Sequence, residues 1–187
     1  MMRIITGNAK GVRLATLEGD ATRPTTERAK EALFSMLQFD IEGRVVLDLF
    51  AGCGQLSLEA LSRGAAHAVM IDKAPDAIKI IKTNALKTKL DGLCEIYNCD
   101  FSEYIRKNRG KKFDIVFIDP PYASNLCVSA LEKLVEADML KPSSVVVCET
   151  GNEDLFLGNN SLAEKFEIVK QVRYSRSYLT ILNPAKE

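Results

Sequence analysis

From residue 44 onward, short apolar runs rich in β-formers alternate with stretches of helical periodicity. Arg44 to Phe50, Ala68 to Asp72, Cys94 to Asn98, Phe113 to Asp119 and Ser143 to Thr150 read as strands, and the segments between them as crossover helices. Ile115-Val116-Phe117-Ile118 is apolar without interruption, as a strand covered on both faces requires. The clearest helix is Pro75 to Leu90, opened by proline in its first turn, with Ile78, Ile81, Ala85 and Leu86 expected on one apolar stripe. Strand and helix in alternation predict an α/β protein, its central sheet mostly parallel with helices on both faces. Phe166 to Arg173 and Ser177 to Leu182 follow with no helix between them, so an antiparallel hairpin is expected at the C-terminal edge.

Before residue 44 the pattern changes. Arg3 to Thr6 and Val12 to Leu14 are short strand candidates around Gly7 and Gly11, and Arg23-Pro24-Thr25-Thr26 interrupts the chain. A helix is expected from Thr26 to Phe39, with Thr25 as N-cap and Ala29, Leu33, Met36 and Leu37 on one face. Residues 1–43 therefore read as an appendage on a domain formed by residues 44–187. Soft joints are expected only at Glu18 to Arg23 and Gly151 to Ser161.

Composition narrows the class. A chain of 187 residues, 47% hydrophobic and 27% charged, suits one compact domain with a sizeable core. Lys+Arg and Asp+Glu each number 25, so any nucleic-acid footprint must be local. No run is long enough for a membrane span, and Met1 to Lys10 lacks the apolar core of a secretory signal. Cys53, Cys94, Cys99, Cys127 and Cys148 form an odd set without a Cys-x-x-Cys pair, which fits a reducing cytoplasm better than a disulfide framework or a zinc site.

The first strand runs into Asp48-Leu49-Phe50-Ala51-Gly52-Cys53-Gly54 before a helical stretch. A strand, a Gly-x-Gly turn and a helix form a nucleotide-binding unit, since the turn must bring backbone close to a ligand. Asp72, at the end of the second strand, can accept both hydroxyls of a ribose. Asp100 follows the third strand, where it can meet the ligand or cap a helix beginning at Phe101. A dinucleotide site prefers a third glycine where this chain has Ser57, and a carboxylate such as Asp48 beside the turn would repel a pyrophosphate. A ligand bearing an ammonium group, such as S-adenosylmethionine, suits it better.

Asp119-Pro120-Pro121-Tyr122 follows the fourth strand and carries the most specific chemistry. The prolines stiffen the loop, so the Asp119 carboxylate and Pro120 carbonyl can form a rigid pair of acceptors for the two N–H groups of an exocyclic amine. Accepting both localises the nitrogen lone pair, and Tyr122 can stack on the base. The reaction implied is in-line transfer of a methyl group from a sulfonium to an amine nitrogen, with no metal required.

With these residues assembled, the chain resembles the bacterial RsmD-type methyltransferases, which modify the exocyclic N2 of a guanine in 16S ribosomal RNA. The resemblance rests on Arg3-Ile4-Ile5-Thr6-Gly7 with Gly11, Arg23-Pro24-Thr25 with Glu31-Ala32-Leu33-Phe34, Asp48 through Ala65, and Asp119 through Tyr122. It implies a Rossmann-like methyltransferase fold, S-adenosylmethionine as donor, and 16S RNA or a small-subunit assembly particle as partner, for a monomer in the cytoplasm. By motif position it implies Asp48, Gly52 and Gly54 near the methionine part of the donor, Asp72 near the ribose and Asp100 near the adenine, with Phe50, Lys73 and Phe101 as further donor-binding residues. Asp119, Pro120 and Tyr122 are the expected catalytic residues. The Asp-Pro-Pro-Tyr type also occurs in adenine-N6 methyltransferases, so an adenine target in DNA or another RNA stays open. A noncatalytic nucleotide sensor and a nicotinamide-dependent dehydrogenase are less compatible with the intact acceptor motif and the missing glycine.

Arg3, Lys10, Arg13, Arg23, Arg28 and Lys30 outnumber the acids Glu18, Asp20 and Glu27 in the first thirty residues, a local excess suited to RNA phosphates. Arg3, Lys10, Arg13, Arg23, Thr25 and Arg28 are the expected RNA contacts. His67, the only histidine, is expected to be structural.

Overall fold

The computed structural model describes residues 2–16, 27–121 and 125–186. Seven strands make one sheet in the order β3-β2-β1-β4-β5-β7-β6. β1 (Val45–Asp48), β2 (His67–Asp72), β3 (Cys94–Asn98), β4 (Phe113–Ile118) and β5 (Leu140–Thr150) run parallel. β7 (Ser177–Pro184) lies antiparallel between β5 and β6 (Phe166–Tyr174), which is the hairpin expected at the edge. Strand order reverses between β1 and β4, and ligands of open α/β sheets bind at the carboxyl ends of strands at such a point. Asp48, the last residue of β1, pairs with Phe117 of β4, so the glycine turn and the Asp-Pro-Pro loop leave the sheet side by side.

Both faces are covered. Val46, Met70, Ile115 and Phe117 share a cluster with Leu33 and Phe34 of α1 (Glu27–Met36), Leu58 of α2 (Gln55–Ser62) and Ile81 of α3 (Pro75–Thr88). The alternate residues Leu47, Val69, Val116 and Ile118 pack with Tyr104 of α4 (Phe101–Lys107) and Leu131 of α5 (Leu126–Glu136). On that second face Leu162 of α6 (Asn160–Ala163) completes the layer.

All eight residues of α2 are buried, because the N-terminal segment lies over it. Glu59 of α2 is 0% exposed and accepts the backbone N–H groups of Ile5 at 2.8 Å and Thr6 at 3.0 Å. Its carboxylate also meets Arg63 Nε at 2.8 Å and Lys30 Nζ at 3.3 Å. Burial lowers the Lys30 pKa, and the Glu59 carboxylate opposes that shift. One carboxylate thus anchors a loop that has no sheet to pair with, and two cations offset its buried charge. Gly7, at φ +87°, crosses so close that an added β-carbon would lie 1.7 Å from Ser62 O, while Asn8 N donates to that oxygen at 2.8 Å.

Several expectations are corrected. Leu86 is 64% exposed: it follows Ala85 by one residue, a rotation of about 100° that carries it off the buried stripe of Ile78, Ile81 and Ala85. α3 closes at Thr88 with Lys89 left-handed, short of Leu90. α1 ends at Met36, and Phe39 is 89% exposed beyond it, although Leu37 and Ile41 stay in the core. The two N-terminal strands reduce to a single bridge, Arg3 with Arg13, because Ile5, Thr6 and Asn8 spend their N–H groups on α2. Thr25 and the joint at Glu18 to Arg23 lie outside the described residues. At the other joint, Asp154 takes three backbone N–H groups, from Phe156, Leu157 and Gly158, and ties the turn.

Candidate active site

β1 does not stop abruptly at its carboxyl end. Leu49 N still donates to Phe117 O at 3.1 Å and Ala51 N to Ile71 O at 2.9 Å, so the glycine turn is hung from both neighbouring strands. Gly52 and Gly54 have φ +57° and +81°, backbone that L side chains rarely adopt. At Gly54 a β-carbon would also press on Met70 Sδ at 3.3 Å, whereas nothing stands within 4 Å of the corresponding position at Gly52, next to open space.

A cleft of about 490 Å3 opens over this turn. It is lined by Asp48, Phe50, Gly52, Asp72, Lys73, Asp100, Phe101, Asp119 and Pro120 among others, so the structure brings most of the expected donor residues together. Gly54 lies beneath the turn and does not line the cleft. Four carboxylates and one lysine face this space, a balance that favours a cationic ligand and disfavours pyrophosphate. The Phe50 and Phe101 rings pack with centroids 5.0 Å apart, giving one end an aromatic wall.

Each carboxylate has its own setting. Asp72 Oδ2 accepts from Gly52 N at 2.9 Å and Oδ1 from Ala74 N at 2.8 Å, so it both caps the approach to α3 and holds the glycine turn. Each of its oxygens keeps a second lone pair for a ribose hydroxyl. Asp100 takes the role that its position before a helix suggested, capping α4 through Ser102 N at 2.8 Å, while still lining the cleft. Asp48 is 1% exposed; Ser57 Oγ donates to its Oδ2 at 2.9 Å, and Oδ1 has no partner among the described residues. Burial pushes its carboxyl up to about 7, with the Ser57 hydroxyl and the nearby Phe50 backbone N–H pulling the other way and Asp72 adding to the rise. Cys53 is no nucleophile at neutral pH, since burial raises its thiol to about 11.

Asp119, Pro120 and Pro121 line a second cavity of about 210 Å3 as well as the cleft. The other side of that cavity carries Asn125, Glu149, Thr150 and Asn152. The Asp-Pro-Pro loop is therefore a wall common to two spaces. Tyr122 lies outside the described residues.

The basic positions divide. Lys10, Arg13 and Arg28 are exposed, whereas Arg23 lies outside the described residues. Arg3 is exposed but paired, its Nε 2.5 Å from Glu27 Oε1, so its charge is already partly matched within the protein. Lys30 is withdrawn altogether, with its side chain 2% exposed. His67 is structural at the far end of β2, its Nε2 2.9 Å from Glu95 Oε1.

Sequence reasoning missed one residue of the cleft and two that hold the N-terminal segment near it. Glu59 is the anchor described above, and an acid inside the otherwise apolar run Leu58 to Leu61 was the available signal. Asn84 is 0% exposed and binds Ala15 through both N–H and C=O, at 2.8 and 3.0 Å, while donating to Cys53 O at 2.9 Å. Gln55, which opens α2, lines the cleft beside Asp48.

A Rossmann-like sheet with an acidic cleft at its switch point is the fold shared with the α/β methyltransferases among its structural neighbours. Within that class the chain belongs to the RsmD family: residues 2–183 match the model of the family described as conserved hypothetical protein 95. It is 34% identical over 151 residues to the protein of Haemophilus influenzae named Ribosomal RNA small subunit methyltransferase D, covering 80% of this chain and 78% of that one. The structure of yhhF from Escherichia coli superposes with a TM-score of 0.86 at 28% identity, covering 98% of this chain and 97% of that one. SMU.776, solved in complex with SAH, shares the fold at a TM-score of 0.67 and 17% identity, covering 82% of this chain and 49% of that one.

Proposed function

We propose that this protein transfers a methyl group from S-adenosylmethionine to the exocyclic N2 of a guanine in 16S ribosomal RNA, within a small-subunit particle or on its RNA. The observation that carries the reading is the shared wall: Asp119, Pro120 and Pro121 border both the acidic cleft and the smaller cavity, as transfer between two bound groups requires. The name of the Haemophilus influenzae relative supports the ribosomal substrate, and the SAH complex of SMU.776 supports the donor. The donor supplies an electrophilic methyl on a positively charged sulfur. Asp48, Asp72, Asp100 and Asp119 fit that charge, and Asp48 Oδ1 in particular has no partner among the described residues.

In this reading Asp48, Phe50, Gly52 and Gly54 shape the methionine end, Asp72 and Lys73 meet the ribose, and Asp100 and Phe101 border the adenine. Asp119 and the Pro120 carbonyl accept the two N–H groups of the target amine, whose base enters the smaller cavity, and Tyr122 stacks on it. The carbon–sulfur bond breaks as the nitrogen–carbon bond forms, its electrons going to sulfur; the surplus proton on nitrogen passes to solvent past the Asp119 carboxylate. Residues 1–43 contribute RNA contacts through Arg3, Lys10, Arg13, Arg23, Thr25 and Arg28, and residues 44–187 form the catalytic domain of a cytoplasmic monomer. No helix among the described residues is long and apolar enough to cross a membrane.

Tritiated methyl transfer to small subunits, naked 16S RNA and duplex DNA, followed by nucleoside analysis, tests the reading. N2-methylguanosine from the ribosomal substrates is the expected product. N6-methyladenine, or transfer to DNA alone, would establish the adenine alternative instead.

A further inference from the structure

Two buried side-chain oxygens at the edge of the acidic cleft have no hydrogen-bond partner among the described residues: Asp48 Oδ1 and Gln55 Oε1. Both oxygens are buried, and both residues line the same space. A buried acceptor left unmatched costs about 1–3 kcal/mol, so two beside one cavity call for an outside donor. They sit on consecutive elements: Asp48 closes β1, and Gln55 opens α2 on the other side of the Gly52-Cys53-Gly54 turn. The Gln55 amide makes no hydrogen bond among the described residues, so its head can turn toward a ligand without breaking one. Asp48 cannot turn as freely, since Ser57 Oγ holds its other oxygen at 2.9 Å.

A single group that would satisfy both oxygens needs at least two N–H or O–H donors. A primary ammonium has three, and its charge matches the four carboxylates around the cleft better than a neutral amide or hydroxyl would. We propose that Gln55 is a binding residue for the amino-acid end of the donor, its side-chain oxygen accepting from the primary ammonium together with Asp48. The assignment rests on the proposed S-adenosylmethionine reading. Gln55 is then a specificity residue: it separates ligands that carry the ammonium from those sharing only the nucleoside and thioether.

The test is calorimetric binding of S-adenosylhomocysteine and of its analogue with hydrogen in place of the amino group. Wild-type protein should bind the analogue at least tenfold more weakly. Gln55→Met should weaken S-adenosylhomocysteine about five- to tenfold, leave the analogue within twofold of wild type, and melt in the unliganded state no lower than wild type, because the lost oxygen had no partner. Gln55→Glu, which keeps an acceptor at the same reach, should retain the discrimination. Equal weakening of both ligands by Gln55→Met, or no weakening of either, overturns the assignment. Failure of wild-type protein to bind S-adenosylhomocysteine at all would instead remove the donor reading, and this inference with it.

Discussion

Asp72 Oδ2 accepts the backbone N–H of Gly52 at 2.9 Å, linking the end of β2 to the turn after β1. The same carboxylate reaches Ala74 N, so one side chain fixes two backbone approaches to the cleft before any ligand arrives. Asp72→Ala should therefore do two things: weaken S-adenosylmethionine binding by roughly 1–3 kcal/mol and lower the unliganded melting temperature, because two backbone donors lose their acceptor. Asp72→Asn, which keeps one acceptor oxygen, should restore part of the stability but less of the affinity. Calorimetry and thermal melts on both variants separate the roles; unchanged affinity in Asp72→Ala would leave only the scaffold function.

Asp119 borders both cavities, at the wall between the donor cleft and the smaller space. Asp119→Ala is expected to abolish methyl transfer while donor affinity stays within a few fold. Near-normal turnover in a single-turnover assay would rule out the acceptor-pair mechanism.

The raised carboxyl of Asp48 gives a pH signature. With its folded-state value near 7 and an unfolded value of about 3.9, this group contributes stability that is fully present below about pH 4 and is lost as pH rises through 7. A cationic ligand favours the ionised form, so its binding expels a proton from unliganded protein below pH 7. Donor affinity should rise between pH 6 and pH 7, approaching tenfold per pH unit well below the pKa, and level off above it. Asp48→Asn should bind more weakly at pH 8 and show little of this slope. Parallel pH profiles for the two proteins would argue against titration of Asp48 in binding.

What could be read from sequence, and what could not, follows from where each partner lies. The glycine turn, Asp72 and Asp119 were legible because each ends an apolar strand whose neighbours in a parallel sheet are predictable. The cap at Asp100 was legible from local chemistry, a carboxylate just before a helix. Glu59 was not, since its partners Ile5, Thr6 and Lys30 come from segments whose path no periodicity describes. The same holds for Asn84, which joins Ala15 and Cys53 across α3. Lys30 counted as a surface cation by composition alone, and only packing showed it to be the counter-charge of a buried acid. Leu86 failed for a simpler reason: a helical stripe has an edge, and hydrophobicity does not mark where it falls.

The N-terminal segment offers the last test, because its fixing to α2 and its proposed contact with RNA use different residues. Its attachment runs through Glu59, Lys30, Ser62 and the glycine crossing at Gly7, none of which needs the exposed arginines. Arg3 pairs with Glu27 on the surface, where such pairs contribute about 0–1 kcal/mol, and Arg13 is exposed. Replacing Arg3, Arg13 and Arg23 with glutamine should thus leave the melting temperature and donor affinity close to wild type. RNA binding should weaken, and the slope of log affinity against log salt should flatten by up to about three phosphate contacts, fewer if Arg3 stays with Glu27 in the complex. Lys30→Met serves as the contrast: it strips a counter-charge from buried Glu59 and should lower stability by about 3–5 kcal/mol. A triple variant that melts early would show that the arginines brace the fold. One that binds RNA with the wild-type salt slope would move the RNA surface away from this segment, toward Lys170, Arg173 and Arg176.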